Sequence, residues 1–223
     1  MSAGLPRCIL FDLDGTLLDS LPGIEYSVLA ALKYCNLPPP QTSIREMIGP
    51  PIRTILSRAA RISEVRALDA LEKAFRTSYD SDGWLKTPCF PGTDQVLRIM
   101  SEQDHRLFVV SNKPKHIAMK ILRQNDIVSR FEMIVTRDSR SPGYSDKPEM
   151  IRYVMLENRC AAESCLLVGD TMEDAEAAHA VGIRFAYMTC GYGKIPAGAT
   201  VPIHYRLDSL LQFLTLMAKE PRP

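Results

Sequence analysis

The feature that most constrains this chain is an unbroken apolar run, Cys8-Ile9-Leu10-Phe11, which stops at Asp12-Leu13-Asp14-Gly15-Thr16. A strand with one solvated face alternates apolar and polar residues, whereas a strand buried on both faces is apolar throughout. The run therefore predicts a strand inside a parallel sheet. Gly15 permits the sharp turn that follows the strand.

From residue 91 onward, short apolar runs alternate with helical patterns. The predicted strands are 107–110, 131–136, 165–168, 183–188 and a short one at 203–205. The predicted helices cover about 93–103, 114–125, 148–158, 173–180 and 208–218. This alternation predicts an α/β fold with a doubly wound parallel sheet, a Rossmann-like core.

Residues from about 20 to 86 show helical spacing and no convincing strand. Helices are predicted at about 20–34, 43–49, 50–60 and 63–75. We interpret this stretch as a small all-helical domain inserted after the first strand. The predicted boundaries are 1–18 and 88–223 for the core and 19–87 for the insertion.

Composition limits the partners that this chain is expected to have. Its 223 residues allow one domain with a small insertion, and the net charge of +1 shows neither a basic surplus nor an acidic tail. No apolar run approaches transmembrane length, and a single basic residue, Arg7, precedes the first apolar run. We expect a cytoplasmic protein without a nucleic-acid or membrane partner.

Six cysteines occur, at positions 8, 35, 89, 160, 165 and 190. Their spacing contains no CxxC pair and no Cys/His pattern typical of zinc sites. We interpret them as reduced and mostly buried thiols, as expected in a reducing compartment.

Polar motifs lie at or just beyond predicted strand ends, where open parallel sheets bind ligands. The first motif carries Asp12 and Asp14, whose side chains project to the same side of an extended segment. Two carboxylates this close resist ionising together unless a cation joins them or one keeps its proton. They suit a nucleophile and a protonatable acid, although an ordinary Asx turn at Asp14-Gly15 explains the same residues.

The second and third motifs are Ser111-Asn112-Lys113 and Lys147-Pro148. A hydroxyl and backbone N–H groups before a helix can hold a phosphate oxygen, and a simple helix cap is the alternative. A lysine at a helix start is disfavoured by the helix dipole unless an anion lies between them. The alternative for Lys147 is an ordinary surface lysine.

The fourth motif is Gly169-Asp170-Thr171-Met172-Glu173-Asp174. We expect Asp170 and Asp174 to share a helix face, because they are four residues apart. Carboxylate oxygens beside open positions suit Mg²⁺, which retains waters and binds substrate phosphate. A capping aspartate followed by an acidic first turn is the structural alternative.

In order, the four motifs DxDGT, Ser, Lys-Pro and GDxxxD resemble those of the haloacid dehalogenase superfamily of phosphohydrolases. The resemblance covers essentially the whole chain and is strongest to the branch that contains phosphoglycolate phosphatases. It implies that Asp12 attacks phosphorus to form an aspartyl-phosphate. Asp14 would protonate the leaving oxygen and then activate water. Ser111 and Lys147 would bind the transferring phosphoryl group.

The resemblance also implies a Mg²⁺ cofactor. Its expected ligands are Asp12, Asp170 and the backbone carbonyl of Asp14, with Asp174 in or near the metal shell. The expected substrate-binding residues of the core are Gly15, Thr16 and Asn112.

The helical insertion lies at the position where members of this superfamily have a mobile cap. Such a cap excludes water from the site and recognises the leaving group of the substrate. Lys33, Arg45 and Arg53 are its candidate cations. Arg53 is the preferred substrate-binding candidate because it lies near the Gly49-Pro50-Pro51 turn, with a solvated helix residue as the alternative.

Asp14 favours phosphate-ester hydrolysis over carbon–halogen and phosphonate cleavage, since family members that catalyse those reactions lack this acid. A phosphosugar mutase, a nucleotidase, a pyrophosphatase and a non-catalytic phosphate-binding regulator remain open. The loop 137–146 departs from the phosphoglycolate phosphatase pattern. A nucleoside monophosphate, a sugar phosphate and pyrophosphate therefore stay open as substrates beside phosphoglycolate. We expect a small phosphorylated metabolite as the substrate, and a monomer or homodimer.

Overall fold

The computed structural model describes residues 5–218. Its strands are β1 (Cys8–Phe11), β2 (Arg106–Ser111), β3 (Met133–Thr136), β4 (Cys165–Gly169), β5 (Arg184–Met188) and β6 (Tyr205–Leu207). They form one sheet in the order β3-β2-β1-β4-β5-β6, and every neighbouring pair is parallel. The predicted parallel α/β fold is therefore confirmed.

Eight α-helices occur within the described residues. They are α1 (Leu21–Tyr34), α2 (Ile52–Ala60), α3 (Val65–Ser81), α4 (Thr93–Glu102), α5 (Lys115–Gln124), α6 (Lys147–Glu157), α7 (Met172–Val181) and α8 (Gln212–Ala218). Short 3-10 helices cover Ile44–Met47, Gly83–Lys86, Val128–Arg130 and Ala162–Ser164.

Several predicted boundaries differ from the structure: the last helix begins at Gln212 rather than 208, the strand predicted at 131–136 begins at Met133, and the helix predicted at 43–49 is a 3-10 helix, Ile44–Met47. Helix α3 continues six residues past Phe75, because Tyr79 extends the same buried face and its ring stacks on that of Phe75 at 5.5 Å. The last strand covers Tyr205–Leu207 rather than 203–205, because these residues pair with Ala186–Met188 of β5.

The strand order places a topological switch point at β1. The chain proceeds from β1 to β2 and β3 on one side and then crosses to β4 on the other side. Phe11 is level with Val109 of β2 and Val168 of β4. In such sheets the ligand site lies outside the carboxyl ends of the strands at this point. The residues that follow Phe11 and Gly169 are therefore positioned for function.

A buried core holds the sheet against its helices. Helices α6 and α7 pack against each other, α6 against β2 and β3, and α7 against β4 and β5. The core on this side includes Leu10, Phe108, Ile151, Leu167 and Phe185. Helix α4 contacts β2 and α8 contacts α4. Burial of each such side chain contributes roughly 1.5–3 kcal/mol to the stability of the fold. The packed sheet therefore supports the loops at its edge.

The chain divides into two compact units. One consists of the described residues up to Leu18 and from Cys89 onward, and contains the sheet. The other, Asp19–Pro88, contains α1, α2 and α3 and has its own core, which includes Leu32, Leu56 and Leu71. That the helical unit acts as a cap stays a prediction.

No helix within residues 5–218 combines the length and the apolar character needed to span a bilayer.

Candidate active site

Asp12 is the first residue after β1, and its carboxylate is buried. Its backbone N–H donates to the carbonyl of Val168 at 2.9 Å, which extends the β1–β4 pairing past the end of the strand. Its Oδ1 accepts a hydrogen bond from Lys147 Nζ at 3.0 Å. The backbone and an ion pair therefore both fix the position of this carboxylate.

Lys147 begins α6 and is 3% exposed. The side chain of Asp146 caps the helix by accepting from the N–H of Glu149 at 2.8 Å. Lys147 Nζ donates to Asp174 Oδ1 at 2.5 Å as well as to Asp12. Burial alone would lower the pKa of Lys147, but the charges of Asp12 and Asp174 outweigh burial and raise it. Lys147 is thus a fixed cation and not a surface lysine.

Asp174 is fully buried and belongs to the first turn of α7. Its Oδ2 accepts from Thr171 N at 3.0 Å and from Thr171 Oγ1 at 2.6 Å, and Thr171 Oγ1 accepts from Asp174 N. The structural alternative had an aspartate as the cap; the residue that caps α7 is Thr171, with Asp174 at the third helical position. This capping box coexists with the contact of Asp174 to Lys147.

Asp170 lies before the N-cap of α7, so the prediction that it shares a helix face with Asp174 was wrong. Its Oδ2 accepts from the backbone N–H groups of Tyr192 and Gly193, at 2.8 and 3.0 Å. Its Oδ1 is buried and has no hydrogen-bond partner among the described residues. A buried carboxylate oxygen with no such partner at a strand end fits a role as a metal ligand.

Oxygens of Asp12, Asp170 and Asp174 all lie within 4.8 Å of one another. The pKa of Asp12 is raised to about 7, mainly by burial; the charges of the neighbouring carboxylates contribute to the rise and Lys147 opposes it. Burial, and then the charge of Asp174, raises the pKa of Asp170 to about 6 against the hydrogen bonds from Gly193 and Tyr192. One lysine does not neutralise three carboxylates, so the cluster fits a divalent cation that prefers oxygen ligands.

The carboxylate of Asp14 lies outside this cluster and is one-third exposed. Both of its oxygens accept from Lys113 Nζ, at 2.8 and 3.1 Å. Lys113 is buried and follows the end of β2 by two residues. The sequence placed Lys113 in the second motif but gave it no role, because its partner lies 99 residues away.

The other predicted core residues also lie at strand ends. Ser111 is the buried last residue of β2, and its Oγ accepts from Lys113 N at 3.2 Å. Asn112 donates to Glu173 Oε1 at 2.9 Å. Gly15 adopts a φ of +81°, and a side chain there would overlap the Asp170 carboxylate. Thr16 is fully buried, and among the described residues its hydroxyl has no hydrogen-bond partner.

In the helical unit, Arg53 lies on α2. Its Nη1 contacts Asp69 Oδ1 at 2.7 Å and Glu72 Oε2 at 3.0 Å. Its contact with a substrate stays a prediction.

The family model for haloacid dehalogenase-like hydrolases matches residues 9–188. The chain belongs to this family. The match includes all four motifs of the core and the whole helical unit. The matched residues therefore include the acidic cluster at the edge of the sheet and the helical insertion that follows β1.

Curated proteins that are similar to this chain carry different names. The tyrosine-protein kinase PtkA of Mycobacterium tuberculosis is 32% identical over 85% of this chain, which spans 64% of PtkA. A phosphoglycolate phosphatase of Pseudomonas fluorescens is 31% identical over 84% of this chain and 71% of its own length. A 5'-nucleotidase of Pseudomonas aeruginosa is 31% identical over 90% of both chains.

Among solved structures, a putative phosphatase from Clostridium difficile superposes with a TM-score of 0.86. The alignment covers 96% of this chain and 100% of the other at 24% identity. This similarity shows the fold.

Proposed function

We propose that this protein is a Mg²⁺-dependent phosphatase that hydrolyses a small phosphate monoester through a covalent intermediate on Asp12. The observation that supports this most strongly is the buried Asp12 carboxylate, which Lys147 contacts at 3.0 Å beside Asp170 and Asp174. A carboxylate used only to stabilise the fold would not be crowded by two further acids at a strand end.

The proposed Mg²⁺ ligands are Asp12, Asp170 through its unpartnered Oδ1, and the backbone carbonyl of Asp14. Asp174 lies beside them and keeps Lys147 in place. When bound there, Mg²⁺ neutralises negative charge on the substrate phosphoryl group and on the carboxylates.

In the first proposed step, a carboxylate oxygen of Asp12 attacks phosphorus. The phosphorus–oxygen bond to the leaving group breaks, and Asp14 gives its proton to the departing oxygen. The Lys147 ammonium and the Ser111 hydroxyl hold the phosphoryl oxygens during transfer. Gly15, Thr16 and Asn112 complete the phosphate-binding loops. The product of this step is an aspartyl-phosphate and a free alcohol.

In the second proposed step, Asp14 removes a proton from water and the water oxygen attacks phosphorus. The bond between phosphorus and the Asp12 oxygen breaks, which releases inorganic phosphate and restores both carboxyl groups. Two hydrogen bonds from Lys113 fix the orientation of Asp14 for both proton transfers. The position of the Asp14 carboxylate outside the acidic cluster supports this role, since its two carboxylate oxygens are not needed to bind the metal.

The names of the relatives support a small phosphorylated substrate. Phosphoglycolate and nucleoside 5'-monophosphates are the substrate classes that these names indicate. We propose that the helical unit Asp19–Pro88 recognises the leaving group of the substrate. Arg53 is the proposed substrate-binding cation of this unit. The free thiols of the chain suit a cytoplasmic location.

The test is inorganic phosphate release from phosphoglycolate, sugar phosphates, nucleoside monophosphates and pyrophosphate, with Mg²⁺ or with chelator. Turnover that needs Mg²⁺ and vanishes in Asp12→Ala supports the proposal, while the exposed control Asp208→Ala retains it. Folded protein that releases phosphate from none of them, yet binds them, supports the regulatory alternative. Transfer of phosphate from ATP to protein tyrosine would instead favour the activity for which PtkA is named.

A further inference from the structure

Three cysteines meet at the amino end of the sheet: Cys8 comes from the start of the chain, and Cys160 and Cys165 come from a segment more than 150 residues later. Cys8 begins β1 and is level with Cys165, which begins β4. Cys160 follows α6. The three sulfurs lie within 4.8 Å of one another. Asp12 lies at the opposite end of β1, so this cluster is separate from the candidate active site.

Two of these sulfurs are in direct contact. Cys8 Sγ lies 2.8 Å from Cys160 Sγ. A disulfide bond is about 2.0 Å long, so the two atoms need to approach by less than one ångström to form one. All six cysteines are free thiols in the structure. Two thiols at this distance form a dithiol ready to be oxidised.

A fixed positive charge lies beside the pair. Arg106 Nη1 is 3.6 Å from Cys160 Sγ, and the same guanidinium is held by Glu132 and by the backbone carbonyl of Asn158. A guanidinium stabilises a thiolate, which is the reactive form of cysteine, and it repels a metal cation. The electrostatics therefore favour thiol chemistry over metal binding at this cluster.

The pKa shifts agree with this arrangement. Hydrogen bonding from Cys165, then from Cys160, and the charge of Arg106 lower the pKa of Cys8 to about 6 against the effect of burial. Burial, and then the hydrogen bond with Cys8, raises the pKa of Cys160. Cys8 is therefore the more acidic of the two thiols and, as a thiolate, is placed to accept the proton of Cys160.

Access to the pair is unequal. Cys160 is half-buried, whereas Cys8 is 4% exposed. A small oxidant therefore reaches Cys160 first, and Cys8 is placed to react with the product.

We propose that Cys8 and Cys160 form a reversible disulfide when the protein meets a low-molecular-weight disulfide such as oxidised glutathione. Cys160 passes its proton to Cys8 and attacks one sulfur of the small disulfide, whose sulfur–sulfur bond breaks to release a thiolate that takes up a proton. Cys8 gives its proton to solvent and attacks Cys160 Sγ, releasing the second small thiolate, which is then protonated. Two protein thiols are oxidised, and one small disulfide is reduced to two thiols.

The test is to treat the full chain with oxidised glutathione and measure intact mass, reactive thiols and linked peptides. We expect two fewer reactive thiols, a mass lower by two hydrogen atoms, and one cross-linked pair of peptides containing Cys8 and Cys160. Dithiothreitol should reverse all three changes. Cys160→Ser should not form the product. The control Cys190→Ser, also half-buried, and Cys165→Ser should still form it; circular dichroism checks that each variant is folded.

Three outcomes overturn the proposal. The first is a stable glutathione adduct on Cys160 without loss of the Cys8 thiol. The second is a linkage between Cys8 and Cys165, or no reaction at all. The third is one equivalent of Zn²⁺ bound to the reduced protein that protects all three thiols, which would make the cluster a metal site. None of these measurements depends on phosphatase activity.

Discussion

Lys113 donates hydrogen bonds to both carboxylate oxygens of Asp14, across 99 residues of sequence. Lys113 is buried, and Asp14 is partly open to solvent, so the lysine fixes the carboxylate from the protein side. Asp14 is the proposed acid and base, and its orientation determines how well it delivers a proton.

Lys113→Met should therefore lower kcat/KM for alkyl phosphates, which reports the first phosphoryl transfer, by about 10-fold to 100-fold, a part of the roughly 10²–10⁴-fold that general acid catalysis supplies. The loss should be much smaller for p-nitrophenyl phosphate, whose leaving group needs no proton. Steady-state kinetics on both substrates measures the difference. The matched control is Lys115→Met, an exposed lysine on α5. Equal losses of kcat/KM on both substrates would contradict a role of Lys113 in delivering the proton of Asp14 to the leaving group.

The acidic cluster predicts an unusual dependence of stability on pH. The pKa values of Asp12 and Asp170 are raised from 3.8 to about 7 and about 6. The folded protein therefore binds protons more tightly than the unfolded chain, and its stability falls as pH rises from about 4 to about 7. Between pH 5.5 and pH 7.5 the loss is on the order of 3 kcal/mol, which would lower the Tm by roughly 10 °C.

Thermal denaturation in chelator at pH 5.5 and pH 7.5 measures this fall. Added Mg²⁺ should raise the Tm more at pH 7.5, because protons compete with the metal at pH 5.5. Asp170→Asn should reduce both effects, while the exposed Asp104→Asn should leave them intact. A Mg²⁺ response of the same size at both pH values would contradict the assignment of these carboxylates as metal ligands.

Two glycines with positive φ allow the effect of backbone strain to be measured separately from the effect of a side chain placed beside Asp170. Gly15 has φ +81° and Gly182 has φ +75°, and a Cβ at Gly15 would overlap Asp170, whereas a Cβ at Gly182 meets nothing within 4 Å. Alanine at either position should cost about 1 kcal/mol from the left-handed backbone. Only Gly15→Ala should also abolish phosphate release. Full activity in Gly15→Ala would contradict the close approach of this turn to Asp170.

Arg53 tests the proposed role of the helical unit. Arg53→Ala should raise KM for the preferred substrate about tenfold, because a guanidinium binds an anionic leaving group strongly. Arg58→Ala on the same helix is the control. A lower Tm with an unchanged KM would show that Arg53 serves only to hold Asp69 and Glu72.

The sheet could be predicted from the sequence because its central strands contain continuous apolar runs that are followed by polar residues. The same pattern placed Asp12, Ser111 and Asp170 at strand ends, where the structure has them. Helix α3 was predicted too short because its last turns carry many polar residues, and the buried face continues only through Phe75 and Tyr79.

The contacts that orient the site could not be predicted, because they join residues that spacing does not relate. The backbone of Tyr192 and Gly193 holds Asp170, and no side-chain pattern marks such a role. The cysteines were predicted to be mostly buried, yet only Cys8 and Cys165 are buried. The meeting of Cys8 with Cys160 depends on the register of β1 and β4 and on the path of the chain after α6.

The most direct test of the central claim is to trap the phosphoryl group on Asp12. In Asp14→Asn, p-nitrophenyl phosphate should still transfer its phosphoryl group, but water attack on the intermediate should be slowed. Acid quenching and peptide mass spectrometry should then find one phosphoryl group on the peptide that contains Asp12, and none in Asp12→Asn/Asp14→Asn. Phosphate release without this adduct, or a phosphoryl group on another residue, would contradict the account.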